Sequence, residues 1–286
     1  IFGGAADIFL AGTIDATGGT AWLQAANIAQ SAGTIKADNL GARSTGTTGT
    51  QGISLTQSNQ IAVKAALTNT AGGGDVSLTT SGPLTLDSVT GVGPTGGVPA
   101  DITSSTSNGA NLTVNAGGTL TVTSAVDAGT GTASLKATGG DIVGAGTVSG
   151  GSVTLNADGA IGTSTAAPLN ITVGAGNVSL TTGGNGAAGN VELGVADGFA
   201  TSKITTLSLG GTGTKTVELV GAGSVTVDSA ISIGSNHLTV DGTGFSEPHT
   251  AGVNAGIISI KSIAAFRGAA VHSVGTFLAG EIGRAH

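Results

Sequence analysis

Pairs of apolar residues separated by one position recur along this chain, each followed four residues later by Gly, Asn or Asp. They read Ala21-x-Leu23 with Asn27, Ile53-x-Leu55 with Asn59, Val76-x-Leu78 with Gly82, Leu112-x-Val114 with Gly118, Ala133-x-Leu135 with Gly139 and Val153-x-Leu155 with Gly159. The series continues as Val178-x-Leu180 with Gly184, Val191-x-Leu193 with Asp197, Leu207-x-Leu209 with Gly213, Val217-x-Leu219 with Gly223 and Leu238-x-Val240 with Gly244, and Ile35-x-Ala37 with Gly41 is a weaker copy. Apolar residues at a spacing of two face one side of a short strand. Gly, Asn and Asp are the residues that best accept a left-handed backbone, so the slot after each pair predicts a sharp corner. A second alternating strand follows several corners, as in Leu84-x-Leu86, Leu120-x-Val122 and Val225-x-Val227.

The intervals predict how these strands are wound. From Val114 to Leu135 is 21 residues, from Leu135 to Leu155 is 20, from Leu155 to Leu180 is 25 and from Leu219 to Val240 is 21. Shorter steps of 10 (Leu209 to Leu219) and 13 (Leu180 to Leu193) read as fractions of a turn. Coils of roughly 20 residues carrying two or three short strands predict an all-β fold, a single-stranded parallel β-helix (β-solenoid) of about a dozen coils. One such coil buries too few aliphatic side chains to offset the backbone entropy of its residues, so stability comes from stacking at a strand spacing of ~4.8 Å.

Composition supports this reading against its competitors. Glycine fills 53 of 286 positions, yet without the every-third-residue period of collagen and with only 5 Pro. Six Phe, one Trp and no Tyr cannot anchor the cores of stacked β-sandwiches. Gly, Thr and Val stand where a helical solenoid needs helix formers. The absence of Cys excludes disulfides and thiolate metal sites. A charged fraction of 9% with mean hydropathy +0.34 excludes charge-driven disorder.

The pattern predicts a continuous β-helix over residues 1–265, interrupted by an insertion loop near 87–109 that leaves the rod, where Pro94 and Pro99 argue against a central strand. Residues 266–280 form a terminal segment of unassigned character. From Phe245 the chain gains Glu247, Pro248, His249, Phe266 and Arg267, residue types rare elsewhere in it. Glu281-Ile282-Gly283-Arg284-Ala285-His286 matches the translation of a common sequencing adaptor and is set aside as an artefact. The start at Ile1, with no leader-like segment and no terminal cap, reads as an internal piece that needs neighbouring coils of a longer protein. The most apolar stretch, near Ile257 to Val274, is interrupted by Ser, Lys and Arg, so no membrane span is expected.

Candidate chemistry is sparse. The acidic residues Asp75, Asp101, Asp127, Asp141, Asp158, Asp197, Asp228 and Asp241 are scattered without an adjacent pair, and Asp158 and Asp197 fall in corners where a turn role explains them. Gly72-Gly73-Gly74-Asp75 and Gly139-Gly140-Asp141 lack the tandem spacing of calcium-binding nonapeptides. His237, His249, His272 and His286 show no metal-ligand spacing. Gly210-Gly211-Thr212-Gly213-Thr214-Lys215 is not a phosphate loop. Net charge −7 argues against nucleic acid. Thr119-x-Thr121-x-Thr123 is a sporadic threonine run and not the row in every coil that ice binding needs. The sequons at Asn111, Asn170 and Asn177 are chance in a chain rich in Ser and Thr. No catalytic, cofactor-binding or metal residue is expected, and the chain is read as non-enzymatic.

Segments such as Gly151-Ser152-Val153-Thr154-Leu155-Asn156-Ala157-Asp158-Gly159 and Gly176-Asn177-Val178-Ser179-Leu180-Thr181-Thr182-Gly183-Gly184 resemble filamentous-haemagglutinin-type adhesins, the exoproteins of two-partner secretion, and autotransporter passengers. The resemblance covers residues 7 to 244. It implies export through an outer-membrane transporter as an unfolded chain, compatible with the absence of Cys, and a secreted or surface-exposed location on a Gram-negative bacterium. It further implies a stalk that carries attachment loops toward host-cell or glycan ligands, in virulence or biofilm formation, with the insertion between Leu86 and Leu112 as the attachment loop. Two other readings stay open: a purely structural solenoid of an envelope or biofilm matrix, and a polysaccharide-active β-helix enzyme in which carboxylates converge in one groove.

Overall fold

The structure, a computed structural model, describes all residues except 71–72, 94–98, 164–166, 185, 187–188, 243, 248–252, 256, 262–264, 269–275 and 280–286. The adaptor-like residues 281–286, much of the terminal segment, and Pro94, Pro248, His249, His272 and His286 therefore lie outside the described residues. The chain is all-β, 56% strand, and winds into a parallel β-solenoid of about 10 turns. At ~4.8 Å per coil that is a rod on the order of 50 Å. The count falls short of a dozen because the insertion after Leu86 and the excursion after Ile161 lengthen two of the coils.

Two stacks of strands carry the fold. The first runs through Ile8–Leu10, Ile28–Gln30, the start of Ile53–Asn69, Val76–Thr80, Leu112–Ala116, Thr132–Ala137, Ser152–Ala157, Val178–Thr182 and Ile204–Leu209. The second begins with Ile14–Ala25 and Ile35–Ser44 and continues through Leu169–Val173, Val191–Val195, Thr216–Gly221, His237–Asp241, Ile257–Lys261 and Thr276–Ala279. A third, shorter stack appears from Phe199 onward, where Phe199–Ala200 pairs with Ser224–Thr226 and that with Gly244–Glu247. Every ladder is parallel among the described residues, and coil pairing extends through Ala265–Gly268 and Thr276–Ala279.

The apolar pairs become columns. Leu55, Leu78, Val114, Leu135, Leu155, Leu180 and Leu207 stack in register along the first sheet, all turned inward. Leu169, Leu193, Leu219 and Val240 do the same in the second. The short steps from Leu180 to Leu193 and from Leu209 to Leu219 pass from one sheet to the other within a coil, as their length predicts. One contiguous lumen of Val, Leu, Ile and Ala results, with Phe199 as its one aromatic member among the described residues.

The corners depart from expectation. Of the slots that follow the apolar pairs, only Gly139 (φ 81°) and Gly213 (φ 73°) are left-handed; Asn27, Asn59, Asp197, Gly82, Gly118, Gly159, Gly184 and Gly223 are not. At four of these slots glycine serves a fit between coils, whereas a Cβ on Gly82 would meet nothing. A Cβ on Gly159 would collide with the Asp141 carboxylate, one on Gly184 with Asp158, one on Gly223 with Asp197 and one on Gly118 with Pro83. Glycine there is the floor on which the preceding coil's corner group rests.

At the N-terminal corners an amide does the same work from inside. Asn59, fully buried, pairs reciprocally with Gln30 (Nδ2 to Oε1 3.1 Å, Nε2 to Oδ1 2.9 Å). It also donates to the carbonyls of Leu55 and Thr79 and accepts from the Ile35 N–H. Fully buried Asn69 likewise donates to the carbonyls of Gln51 and Gly74.

Candidate functional site

The scattered aspartates are accounted for by stacking. Asp141 accepts from the Ala160 N–H (2.7 Å), Asp158 from Gly139 (2.8 Å), Asp197 from Ser224 (2.7 Å), Asp228 from Ser202 (2.7 Å) and Asp75 from Asn111 (3.0 Å). These partners lie 19 to 36 residues away, in adjacent coils. Asp197 lies in the local turn that the Phe199 N–H closes onto the Ala196 carbonyl, and both Asp158 and Asp197 also bracket two coils. Hydrogen bonds from Ser224 hold Asp197 below the usual carboxylate range, and the Ser202 hydroxyl does the same for Asp228. Asp87 clasps three coils: it receives the Ser124 hydroxyl (2.8 Å) and the Lys64 ammonium (3.4 Å), and these lower its pKa, the serine most. Asp127 accepts from the nearby Gly129 N–H and from the Ser149 hydroxyl of the next coil (3.0 Å), and Asp101 accepts from the Gly91 N–H. Asp241 closes the strand His237–Asp241.

The described ends of the insertion fold back onto the rod. Val89 and Ile102 form an antiparallel bridge (2.8 and 3.0 Å) and pack with Trp22 and Ala66 into a small second core on the outer side of the second sheet. Trp22 is only 3% exposed, and Gly41 beneath it leaves the room its ring needs. Arg43 lies 5.7 Å from the ring centroid and donates to the carbonyls of Ala100 (2.7 Å) and Asp101 (3.3 Å), tying the insertion down. The chain rejoins the second sheet at Ser105–Thr106, which pairs with Val126–Asp127. Pro94 and Pro99 signal a loop; nothing local signals that two of its aliphatics cover a tryptophan three coils earlier in the sequence.

One pair of carboxylates escaped the sequence reading. Glu192 and Glu218 are in-register neighbours on adjacent coils of the second sheet. Burial, and then the Glu218 charge, push the Glu192 carboxyl above its ordinary value, and its Oε2 is buried without a hydrogen-bond partner. An open groove of about 360 Å³, which neither glutamate lines, runs past Asn170, Gly194 and Val220, two residues further along the same strands. The two glutamates fill the middle slots of the repeated pairs Val191-x-Leu193 and Val217-x-Leu219, a signal that could have aligned them, although their spacing of 26 residues departs from the 20 and 21 of other coils.

The first sheet presents a different surface. Its outward positions form one column of Ser54, Ser77, Thr113, Ser134, Thr154, Ser179 and Thr206, in register coil after coil. A second column, two residues along each strand, holds Thr79, Asn115, Lys136, Asn156, Thr181 and Ser208. Thr121, in the threonine run noted above, belongs to the other sheet.

Among the described residues no three His, Asp or Glu side chains converge as a metal ion would require. His237 donates its backbone N–H to the Lys215 carbonyl, and the Lys215 ammonium turns back onto the Gly211 carbonyl (2.6 Å). No helix among the described residues is long and apolar enough to cross a membrane. Comparisons with protein-family models, with curated proteins and with solved structures find no match to this chain.

Proposed function

We propose that this chain is the β-helical rod of a large bacterial adhesin of filamentous-haemagglutinin or autotransporter type, secreted or displayed on the surface of a Gram-negative cell. Its role is non-enzymatic: a stiff stalk that holds attachment surfaces away from the cell. The observation that supports this best is how the polar side chains are spent. The corner carboxylates and buried amides bind neighbouring coils, so the chemistry a catalyst would use is largely consumed in stiffening a column. The insertion, pinned by Arg43 yet exposing Val92, is the attachment segment of this reading. Replacing residues 88–104 by a short turn in the cell-displayed protein leaves the rod folded and lowers attachment to host cells; undiminished attachment overturns the assignment of the segment.

The Glu192–Glu218 pair favours a second reading, a polysaccharide-active β-helix. Two carboxyls side by side, one with its pKa raised by burial and by its neighbour's charge, suit an acid and its partner in glycoside cleavage. Release of reducing ends from neutral and acidic polysaccharides by the purified chain, abolished by Glu192→Gln, supports it. Equal activity in both proteins, or none in either, overturns it.

A further inference from the structure

We propose that the outward surface of the first sheet binds a neutral polysaccharide chain laid along the rod axis. The inference deepens the attachment reading and rests on it for its biological setting. Its basis is the two columns that begin at Ser54 and Thr79. In the first column, no hydroxyl from Ser54 to Thr206 hydrogen-bonds within the protein. In the second, the one side-chain bond is a long contact of 3.5 Å between Asn115 and Thr79. Every one of these side chains is at least partly solvent-accessible. The free groups stand at fixed intervals, ~4.8 Å along the rod and ~7 Å across it, twice the rise per residue of a strand. A flat two-dimensional array of donors and acceptors suits a ligand that repeats its own hydroxyls, because each hydroxyl can both give and accept. Single contacts of this kind are weak; a polymer that makes many of them in series gains by effective concentration.

Charge narrows the ligand class. Lys136 is the one charged side chain in the two columns, whereas the second sheet exposes Lys36, Lys64 and Asp87 and carries Arg43 and the glutamate pair. A face with so little charge offers nothing to balance an anionic polymer, and neutral sugars need no balance. Phe9 adds a stacking surface. It precedes the first column, in register with Ala29, which is in register with Ser54, and its ring is 72% exposed. An exposed ring beside hydroxyl rows fits the C–H face of a pyranose. Ordered water is the less suited ligand, since Asn115, Lys136 and Asn156 break the second column into side chains of unequal length.

The test uses the full chain. Sedimentation with insoluble β-1,4-glucan and affinity electrophoresis in soluble neutral galactomannan are measured for the parent, for a Ser134→Glu, Ser179→Glu variant, and for a Thr121→Glu, Thr172→Glu variant on the other sheet. Circular dichroism checks that all three fold. The expected result is retention of the parent by a neutral glycan, a loss of at least roughly tenfold in the first variant and none in the second. Three results overturn the proposal: no retention by either glycan, equal loss in both variants, or a parent that associates with itself or arrests ice growth through this face without binding glycan. Attachment of displaying cells that survives Ser134→Glu, Ser179→Glu also overturns it while sparing the attachment reading. Glycan binding by the purified chain, with no attachment by displaying cells, does the reverse.

Discussion

The carboxylate of Asp158 accepts a hydrogen bond from the backbone N–H of Gly139 at 2.8 Å, joining two coils at a corner. On its other side lies Gly184, where a Cβ would run into that carboxylate. Asp158→Ala is expected to lower the unfolding free energy by about 0.5–1.5 kcal/mol, the net worth of such a bond. Gly184→Ala destabilises by crowding Asp158. The double variant loses less than the sum, since removal of the carboxylate removes the collision. Urea unfolding of the four proteins checks this, and strict additivity contradicts it.

Asn59→Ala is the severest single polar change expected. It takes from the Ile35 N–H its Asn59 acceptor, from the Leu55 and Thr79 carbonyls a donor, and from the Gln30 amide its two shorter bonds, leaving that amide only longer contacts to Gly33 and Gln57. Loss of about 3 kcal/mol or more follows from several buried groups left without partners. Ser54→Ala, one coil corner away but facing solvent, changes stability by less than about 0.5 kcal/mol. Equal losses in the two variants would show that the amide does not bracket the corner.

The titrating groups pull in opposite directions with pH. Asp87, Asp197 and Asp228 have lowered folded pKa values, so their contribution is present above the ordinary carboxylate range and is lost as pH falls through those values. Glu192 has a raised folded pKa, so it subtracts stability at neutral pH, and the penalty is relieved as pH falls toward its unfolded value. Glu192→Gln therefore raises Tm at pH 8 and leaves it unchanged near pH 4. Asp228→Asn lowers Tm at pH 8, and its effect fades as pH falls below the ordinary carboxylate range through the lowered folded pKa. A Tm–pH series for each variant reads the sign directly.

Trp22 is the single tryptophan of the chain and reports on the insertion alone. Ile102→Asp places a charge in the small outer core of Trp22, Ala66 and Val89, undocking the insertion. The tryptophan emission shifts to the red while the far-ultraviolet dichroism and the urea midpoint of the rod change little. A variant that loses the whole fold shows instead that the outer core is integral to the coils.

The column Val114, Leu135, Leu155, Leu180 was readable from spacing alone, because inward positions recur wherever a coil must bury aliphatics. The left-handed reading of the Gly, Asn and Asp slots holds at Gly139 and Gly213 and fails at most of the others. Left-handed geometry is a property of one residue, whereas the need for glycine at Gly159 comes from Asp141 in the coil before it. The pairing of Trp22 with Ile102 was illegible for a related cause. Coils differ in length, and only the register of the folded chain says which residues meet. The hydroxyl columns lay hidden as well, since Ser134 and Thr154 look like ordinary polar alternation until their neighbours above and below are known.

Register is the central claim, and a chain without cysteine allows it to be tested by engineered disulfides. Ser134 and Thr154 are in-register partners, whereas Ser134 and Asn156 are offset by two residues. Neighbouring strands put aligned Cα atoms ~4.8 Å apart, within disulfide range, and put offset ones beyond it. Mild oxidation of the Ser134→Cys, Thr154→Cys variant is predicted to give an intramolecular disulfide rapidly and nearly completely, and the Ser134→Cys, Asn156→Cys variant to give little. Equal cross-linking of the two, or preference for the offset pair, would contradict the stacked coils on which the whole account stands.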